Sequence, residues 1–176
     1  IKKTYLAITS GVPDPLNGDI ETYLARSNKN PRMICVANQG CYSFTHYETL
    51  KTWHYFALVK VIPTTGRMHQ IRVHFAHIHY PLLGDLLYNS RRYVHSLVPQ
   101  NMKRKVTELL VNHLHHQALH SWKLEFEHPI TNCPISVTAP IPEDIKYTLN
   151  WLDAYFCVDT DTNNLNLLLE EETKIG

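Results

Sequence analysis

The sequence lacks most of the short signatures that announce a chemistry. No two of its four cysteines, Cys35, Cys41, Cys133 and Cys157, stand at CxxC spacing, so neither a zinc knuckle nor a thioredoxin-like redox site is indicated. Reduced thiols in a cytoplasmic protein are the expectation. GxSxG, Walker and dinucleotide-type glycine patterns are all absent, which removes the common covalent hydrolases and nucleotide folds. No uninterrupted apolar run approaches the roughly 20 residues a membrane helix needs. The opening IKKTYLAI has neither a Met nor an apolar signal core, which reads as an internal piece of a longer protein. Acids are scarce in the middle: between Lys51 and Lys105 nine Lys or Arg accompany a single Asp85. From Glu143 onward the balance reverses, with eight acids against Lys146 and Lys174. A basic middle suits a polyanionic partner or is a solvated face.

Histidine is plentiful instead, with twelve in the chain. His113, His115 and His116 cluster, as do His69, His74, His77 and His79. A zinc site needs three or four converging ligands, and His69, His74 and His77 point in different helical directions with no HExxH string. No metal is expected, and these histidines are read as packing groups or as groups facing a polyanionic partner.

At 176 residues the chain suits one domain with a sizeable core. Tyr5, Ala7 and Thr9 alternate with Thr4, Leu6 and Ile8 as a strand ending at a Ser10-Gly11-Val12-Pro13 turn. Asp14–Asn30 reads as a polar surface excursion with a short helix near Ile20–Ala25. Arg32–Ala37 and Cys41–Thr49 read as a hairpin joined by Asn38-Gln39-Gly40. Trp53–Ile62 is a long strand stopped by Pro63. Pro99–Leu114 has helical spacing, Ser121–Phe126 and Ile135–Ala139 read as strands, and Pro142-Glu143-Asp144 opens a last helix. Its stripe is Ile145, Leu149, Leu152 and Phe156. Residues 1–157 form the domain, and 158–176 an acidic peripheral tail. The class is α+β, with a mixed, mostly antiparallel sheet and flanking helices.

The stretch Thr65-Gly66-Arg67-Met68-His69-Gln70-Ile71-Arg72-Val73-His74 organises the rest. Met68, Ile71, Phe75 and Ile78 recur at helical steps and predict a buried stripe, with Thr65 placed to cap the helix start. His69, Arg72, Ala76 and His79 form a second stripe at the edge of the core, so Arg72 is partly buried and needs an anionic partner. Pro81 ends the helix, and Asp85 either caps the next segment or pairs with a nearby arginine. On spacing alone a capped amphipathic helix with solvated basic residues is the preferred reading.

TGRMHQIRVH followed by YPLLGDLLYN, together with KKTYLAI and LHSWKLEFEHP, resembles the RluA-type RNA pseudouridine synthases, in the right order along the chain. The resemblance implies an α+β catalytic domain with a central RNA-binding cleft. It implies an enzyme that detaches uracil from its ribose, rotates it and rejoins it through carbon, with no metal or cofactor. Tyr5 matches the tyrosine lying against the base, and Arg72 the arginine that pairs with the catalytic aspartate. Arg67, His69 and Gln70 match the rest of that motif, as pocket-shaping or RNA-contacting residues. Leu119 and His120 match the Leu-His pair on the opposite wall. The family's HRLD-like aspartate motif, upstream of the tyrosine strand, is absent from these residues. The chain is therefore expected to be an inactive fragment of a synthase acting on ribosomal or transfer RNA. A non-catalytic RNA-binding relative is the alternative. The expected partner is structured RNA, with no membrane, and the protein a monomer. Where the family has Gly-His-Pro this chain has His79-Tyr80-Pro81, and a His in place of that glycine strains a left-handed cap.

Overall fold

The computed structural model describes residues 1–89 and 91–158. The acidic tail expected beyond residue 158 lies outside them. The strands are β1 (Lys2–Ser10), β2 (Asn17–Arg26), β3 (Ile34–Ala37), β4 (Cys41–Thr52), β5 (Phe56–Pro63), β6 (Leu119–Glu127) and β7 (Pro134–Thr138). The helices are α1 (Gln70–His77), α2 (Arg91–Leu97), α3 (Lys103–Asn112) and α4 (Glu143–Phe156), with a single 3₁₀ turn at Gln100–Met102. The strands form one sheet in the order β3-β2-β4-β5-β1-β6-β7. Every pairing among the described residues is antiparallel, so the mixed character expected of the sheet is not found there.

Helices cover both faces of the middle of this sheet, which is why β1 and β5 are apolar on both sides. Leu6 and Ile8 of β1 and Phe56 and Leu58 of β5 pack with Val106 and Leu109 of α3 and with Ile145, Leu149, Leu152 and Phe156 of α4. Ala7, Ala57, Val59 and Val61 face the other way, onto Ile71 and Phe75 of α1 and onto Leu82. The stripe read for α4 is buried as expected, and Pro142 stands at its N-cap. No helix among the described residues is long and apolar enough to cross a membrane.

Four local expectations need correction. Asp14–Asn30 contains no helix but the ten-residue strand β2, with Ile20, Thr22 and Leu24 buried and Asp19, Glu21 and Tyr23 outward. Ile20 and Leu24, four apart, satisfy a helical and an alternating pattern at once, and only pairing to β4 decides between them. β3 and β4 do not form a hairpin with each other, because β2 lies between them and pairs with both. Asn38-Gln39-Gly40 instead crosses the end of β2, where a side chain at Gly40 would collide with the Leu24 carbonyl. β5 begins only at Phe56, since Trp53 sits in the turn after β4, buried, with its indole N–H on Asp153 at 2.8 Å. Met68 is half exposed, outside α1, and Thr65 does not cap the helix. His69 takes the N-cap position in the left-handed region at φ 56°, and that reversal turns Met68 away from the core. At the other end His79 does hold the left-handed φ of 68° expected of a glycine position.

α1 is tied to β2 by a buried pair, His74 Nε2 and Thr22 Oγ1, 3.0 Å apart. Burial, aided by nearby His77, lowers the His74 pKa from 6.5 to about 4. Between those values the unfolded chain binds a proton that the folded chain does not, so stability falls as pH is lowered through this window. The loss is about 1.4 kcal/mol per pH unit, roughly 3 kcal/mol across the window, and it levels off below pH 4. Urea unfolding at pH 7 and pH 4.5 should show this extra acid sensitivity in the wild-type chain. It should be missing from His74→Gln, which keeps a polar partner for Thr22 and does not titrate.

Candidate active site

The chain from Thr64 to Arg72 runs across the α1 face of the sheet and is pinned there by one side chain. Gln70 Nε2 donates to the Phe44 carbonyl and to Thr45 Oγ1, each at 2.9 Å. Its Oε1 accepts from Thr65 Oγ1 at 2.8 Å and from the Arg67 N–H at 2.9 Å. Thr65 Oγ1 in turn accepts the Phe44 N–H at 3.0 Å. All four hydrogen-bonding positions of the Gln70 amide are thus used within the protein. Gln70 shapes the loop and has no capacity left for RNA.

Between this loop and the end of β1 lies an open cavity of about 360 Å³. Tyr5, Arg67, His69, Gln70, Arg72 and Leu119 all line it. Residues over a hundred positions apart are therefore brought to one cleft. Tyr5 reaches it at a β-bulge: β1 pairs Thr4 with Lys123 but Tyr5 with Ser121, leaving Trp122 as the extra residue of β6. Three cations, Lys3, Arg67 and Arg72, line the cavity, and no acid does among the described residues. A larger, open depression of about 970 Å³ at the β6–β7 edge is lined by Ile1, Phe126, Pro129, Pro134 and Ile135 with Glu125 and Glu127, and by no Lys, Arg or His side chain among the described residues.

His120 does not join the cleft. Adjacent residues of a strand face opposite sides, so Leu119 and His120 cannot share a wall. Leu119 lies opposite Ala7 on the α1 face, while His120 lies opposite Leu6 and its Nε2 meets the Ala139 carbonyl at 3.2 Å. The same alternation could have found Lys3, which is two residues from Tyr5 and shares its face. Gln117, just before β6, is a further lining residue that the sequence did not single out.

Arg72 is the most constrained charge in the cleft. Its Nε and Nη2 donate to Asp85 Oδ2 and Oδ1, both at 2.7 Å, in a two-point pair. Asp85 Oδ1 also accepts the N–H groups of Leu87 at 3.1 Å and Tyr88 at 3.2 Å. The Asp85 side chain is wholly buried and that of Arg72 is 15% exposed. The hydrogen bond to Asp85 raises the Arg72 pKa above its already high value, so the guanidinium is permanently charged. Asp85 is thus both of the things expected of it, a cap for the following turn and a partner for a nearby arginine. Nη1 of Arg72 has no protein partner among the described residues, so one edge of the fork remains for another group. The ring of Tyr88 covers the guanidinium, with Cζ 5.0 Å from its centroid.

The cleft as a whole offers an aromatic face, a fixed guanidinium edge and two further cations. No group of three or more His, Cys, Asp or Glu is placed to hold a metal among the described residues.

Residues 1–77 match the RNA pseudouridylate synthase family. An uncharacterized RNA pseudouridine synthase of Chlorobaculum parvum is 35% identical over 153 residues, covering 85% of this chain and 46% of that protein. The ribosomal large subunit pseudouridine synthase D of Haemophilus influenzae is 34% identical over 161 residues, covering 92% and 48% respectively. Among solved structures, human RNA pseudouridylate synthase domain containing 1 superposes with a TM-score of 0.65 at 25% identity, covering 97% of this chain and 64% of that one. The chain spans about half the length of the curated relatives it matches.

Asp85→Ala leaves a buried guanidinium without its counter-ion and two backbone N–H groups without an acceptor. Breaking such a pair from one side costs roughly 3–5 kcal/mol. Urea unfolding of the variant chain at neutral pH should show a loss of that size. A loss under about 1 kcal/mol is what a surface pair gives, and would place Arg72 in solvent.

Proposed function

Because the chain belongs to the RNA pseudouridylate synthase family, we propose that this cleft receives a uridine turned out of structured RNA and isomerises it to pseudouridine. The observation that carries the reading is the convergence of Tyr5 and Arg72 in one acid-free, cationic cavity. A volume of about 360 Å³ falls within the range of small-ligand pockets, about 300–1,000 Å³. Ribosomal RNA is the first candidate substrate, since relatives are named for the large ribosomal subunit, and transfer RNA is the second. The reading includes a cytoplasmic monomer that works without metal or cofactor.

The physical roles follow from the residues. An extruded base loses its stacking partners, and an aromatic face such as Tyr5 returns roughly 1–3 kcal/mol of that. Lys3 and Arg67 at the cavity wall attract phosphates, with an affinity that falls as salt rises. The nucleophilic carboxylate belongs to the HRLD-like motif upstream of the tyrosine strand, outside these residues. A carboxylate brought into a water-poor cleft would take up a proton unless a cation held it ionised. Arg72 supplies that cation, and its Nη1 edge is the place for a second carboxylate, opposite Asp85. Glycosidic cleavage breaks the N1–C1′ bond, rejoining forms the C5–C1′ bond in its place, and the proton lost from C5 is matched by the one gained at N1.

Single-turnover kinetics with saturating RNA, on a longer form of the protein that carries the aspartate motif, tests this. Arg72→Ala should lower turnover by roughly a hundredfold or more while RNA affinity changes little. Arg72→Lys should recover only part, because an ammonium keeps the charge and loses the planar fork. The 176-residue chain alone should form no pseudouridine. Near-normal turnover in a folded Arg72→Ala variant overturns the assignment. A longer form that binds RNA and never converts it is the non-catalytic relative instead.

A further inference from the structure

Tyr88 lies outside the cleft lining, yet two groups of the cleft depend on it. Its ring covers Arg72, as described above. Its hydroxyl accepts the Ile34 N–H of β3 at 2.8 Å and stands 3.0 Å from Nδ1 of His69. The two rings meet edge to face at 84°, with centroids 5.7 Å apart.

The direction of that last hydrogen bond turns on the His69 tautomer, and the free phenolic proton of Tyr88 favours one of the two. A backbone N–H can only donate, so the phenolic oxygen serves Ile34 as acceptor and its own proton is free to go elsewhere. Nδ1 of His69 is the partner within reach, and it must be unprotonated to accept. A neutral imidazole that accepts at Nδ1 carries its hydrogen on Nε2. Burial lowers the His69 pKa, the Arg72 charge lowers it further and Asp85 opposes them, so the ring is neutral at pH 7. Nε2 has no protein partner among the described residues, and His69 lines the cavity. The residue is also held in the left-handed region, a costly conformation for a histidine that persists where the surroundings enforce it.

We propose that Tyr88 is a positioning residue that sets two cleft groups at once: it holds His69 as an Nε2–H donor toward an acceptor oxygen of the substrate nucleotide, and it clamps Arg72 against Asp85. The identity of what the donor meets rests on the functional reading given above, while the network itself stands on the geometry of this chain. A tyrosine that merely anchored β3 would need neither contact.

Histidine-selective long-range ¹H–¹⁵N NMR on the 176-residue chain tests the network directly. The charged and titratable groups facing His69 and Tyr88 are Arg72 of α1, Asp85 of the following turn and Cys35 of β3. Wild-type His69 should show a single Nε2–H tautomer and titrate below the ordinary 6.5. In Tyr88→Phe the midpoint should move upward and an Nδ1–H population should emerge, while the Arg72 Nε–H signal stays protected. In Tyr88→Leu that Arg72 signal should be lost as well. An Nδ1–H tautomer in the wild type overturns the proposal without any variant, so unfolding of either variant cannot shelter it. Identical His69 spectra in wild type and Tyr88→Phe overturn it equally. Failure of a longer form to make pseudouridine would remove the functional reading and leave these spectra unchanged.

Discussion

A buried carboxylate and a guanidinium, Asp85 and Arg72, fix the arrangement on which the cleft depends. Taking both from water is expensive, and the cost is offset by the N–H donors gathered around the wholly buried carboxylate. Asp85 meets two guanidinium N–H groups and two backbone N–H groups. The pair therefore locks the helix to the turn that follows it. Asn89, at the end of that turn, donates to Ser10 Oγ at 2.8 Å and to the Leu82 carbonyl at 2.9 Å, which fastens the same turn to β1. Tyr5 stands on β1 and Arg72 on α1, so this chain of contacts sets the distance between the two groups across the cleft.

The other side of the loop is organised differently. Gln70 holds Thr65 and Arg67 to β4 through neutral hydrogen bonds, each worth about 1 kcal/mol net. Arg67 adds a 3.2 Å bond to the Tyr42 carbonyl at the exposed rim. One wall is thus held by a buried charge pair and the other by an amide. The groups between them, His69 and Arg67, keep hydrogen-bonding capacity turned toward solvent or substrate. A site that must hold an extruded base needs this combination of rigid walls and unused donors.

How much of this was legible depends on the length scale of the signal. α4 could be read because its cap, its first-turn acids and its apolar stripe are all local and agree. β2 could not, because Ile20 and Leu24 fit two periods and only a partner strand chooses between them. The start of α1 was misplaced for a related reason. A left-handed residue at His69 interrupts the helical phase without altering the spacing of apolar residues, so Met68 looked buried. Tyr5 and Arg67 were legible only through resemblance, whereas helical spacing already made Arg72 partly buried and in need of an anion. The opposite placement of His120 was available from strand alternation alone. Tyr88 stands within YPLLGDLLYN, yet its role could not be read there, because it comes from β3 and α1 meeting beside it.

The strand order also carries a consequence for how the chain is made. β1 comes first among the described strands and sits inside the sheet, between β5 and β6. Its second partner, β6, begins only at Leu119. At synthesis rates of roughly 5–20 residues per second, β1 waits on the order of ten seconds for its ladder to be completed. Throughout that interval Leu6, Ala7 and Ile8, apolar on both faces, have no finished core to enter. Non-local closure of this kind folds slowly and leaves strand edges open. The interior strand that carries Tyr5 is thus a part of the nascent chain that needs a chaperone's cover until β6 is made.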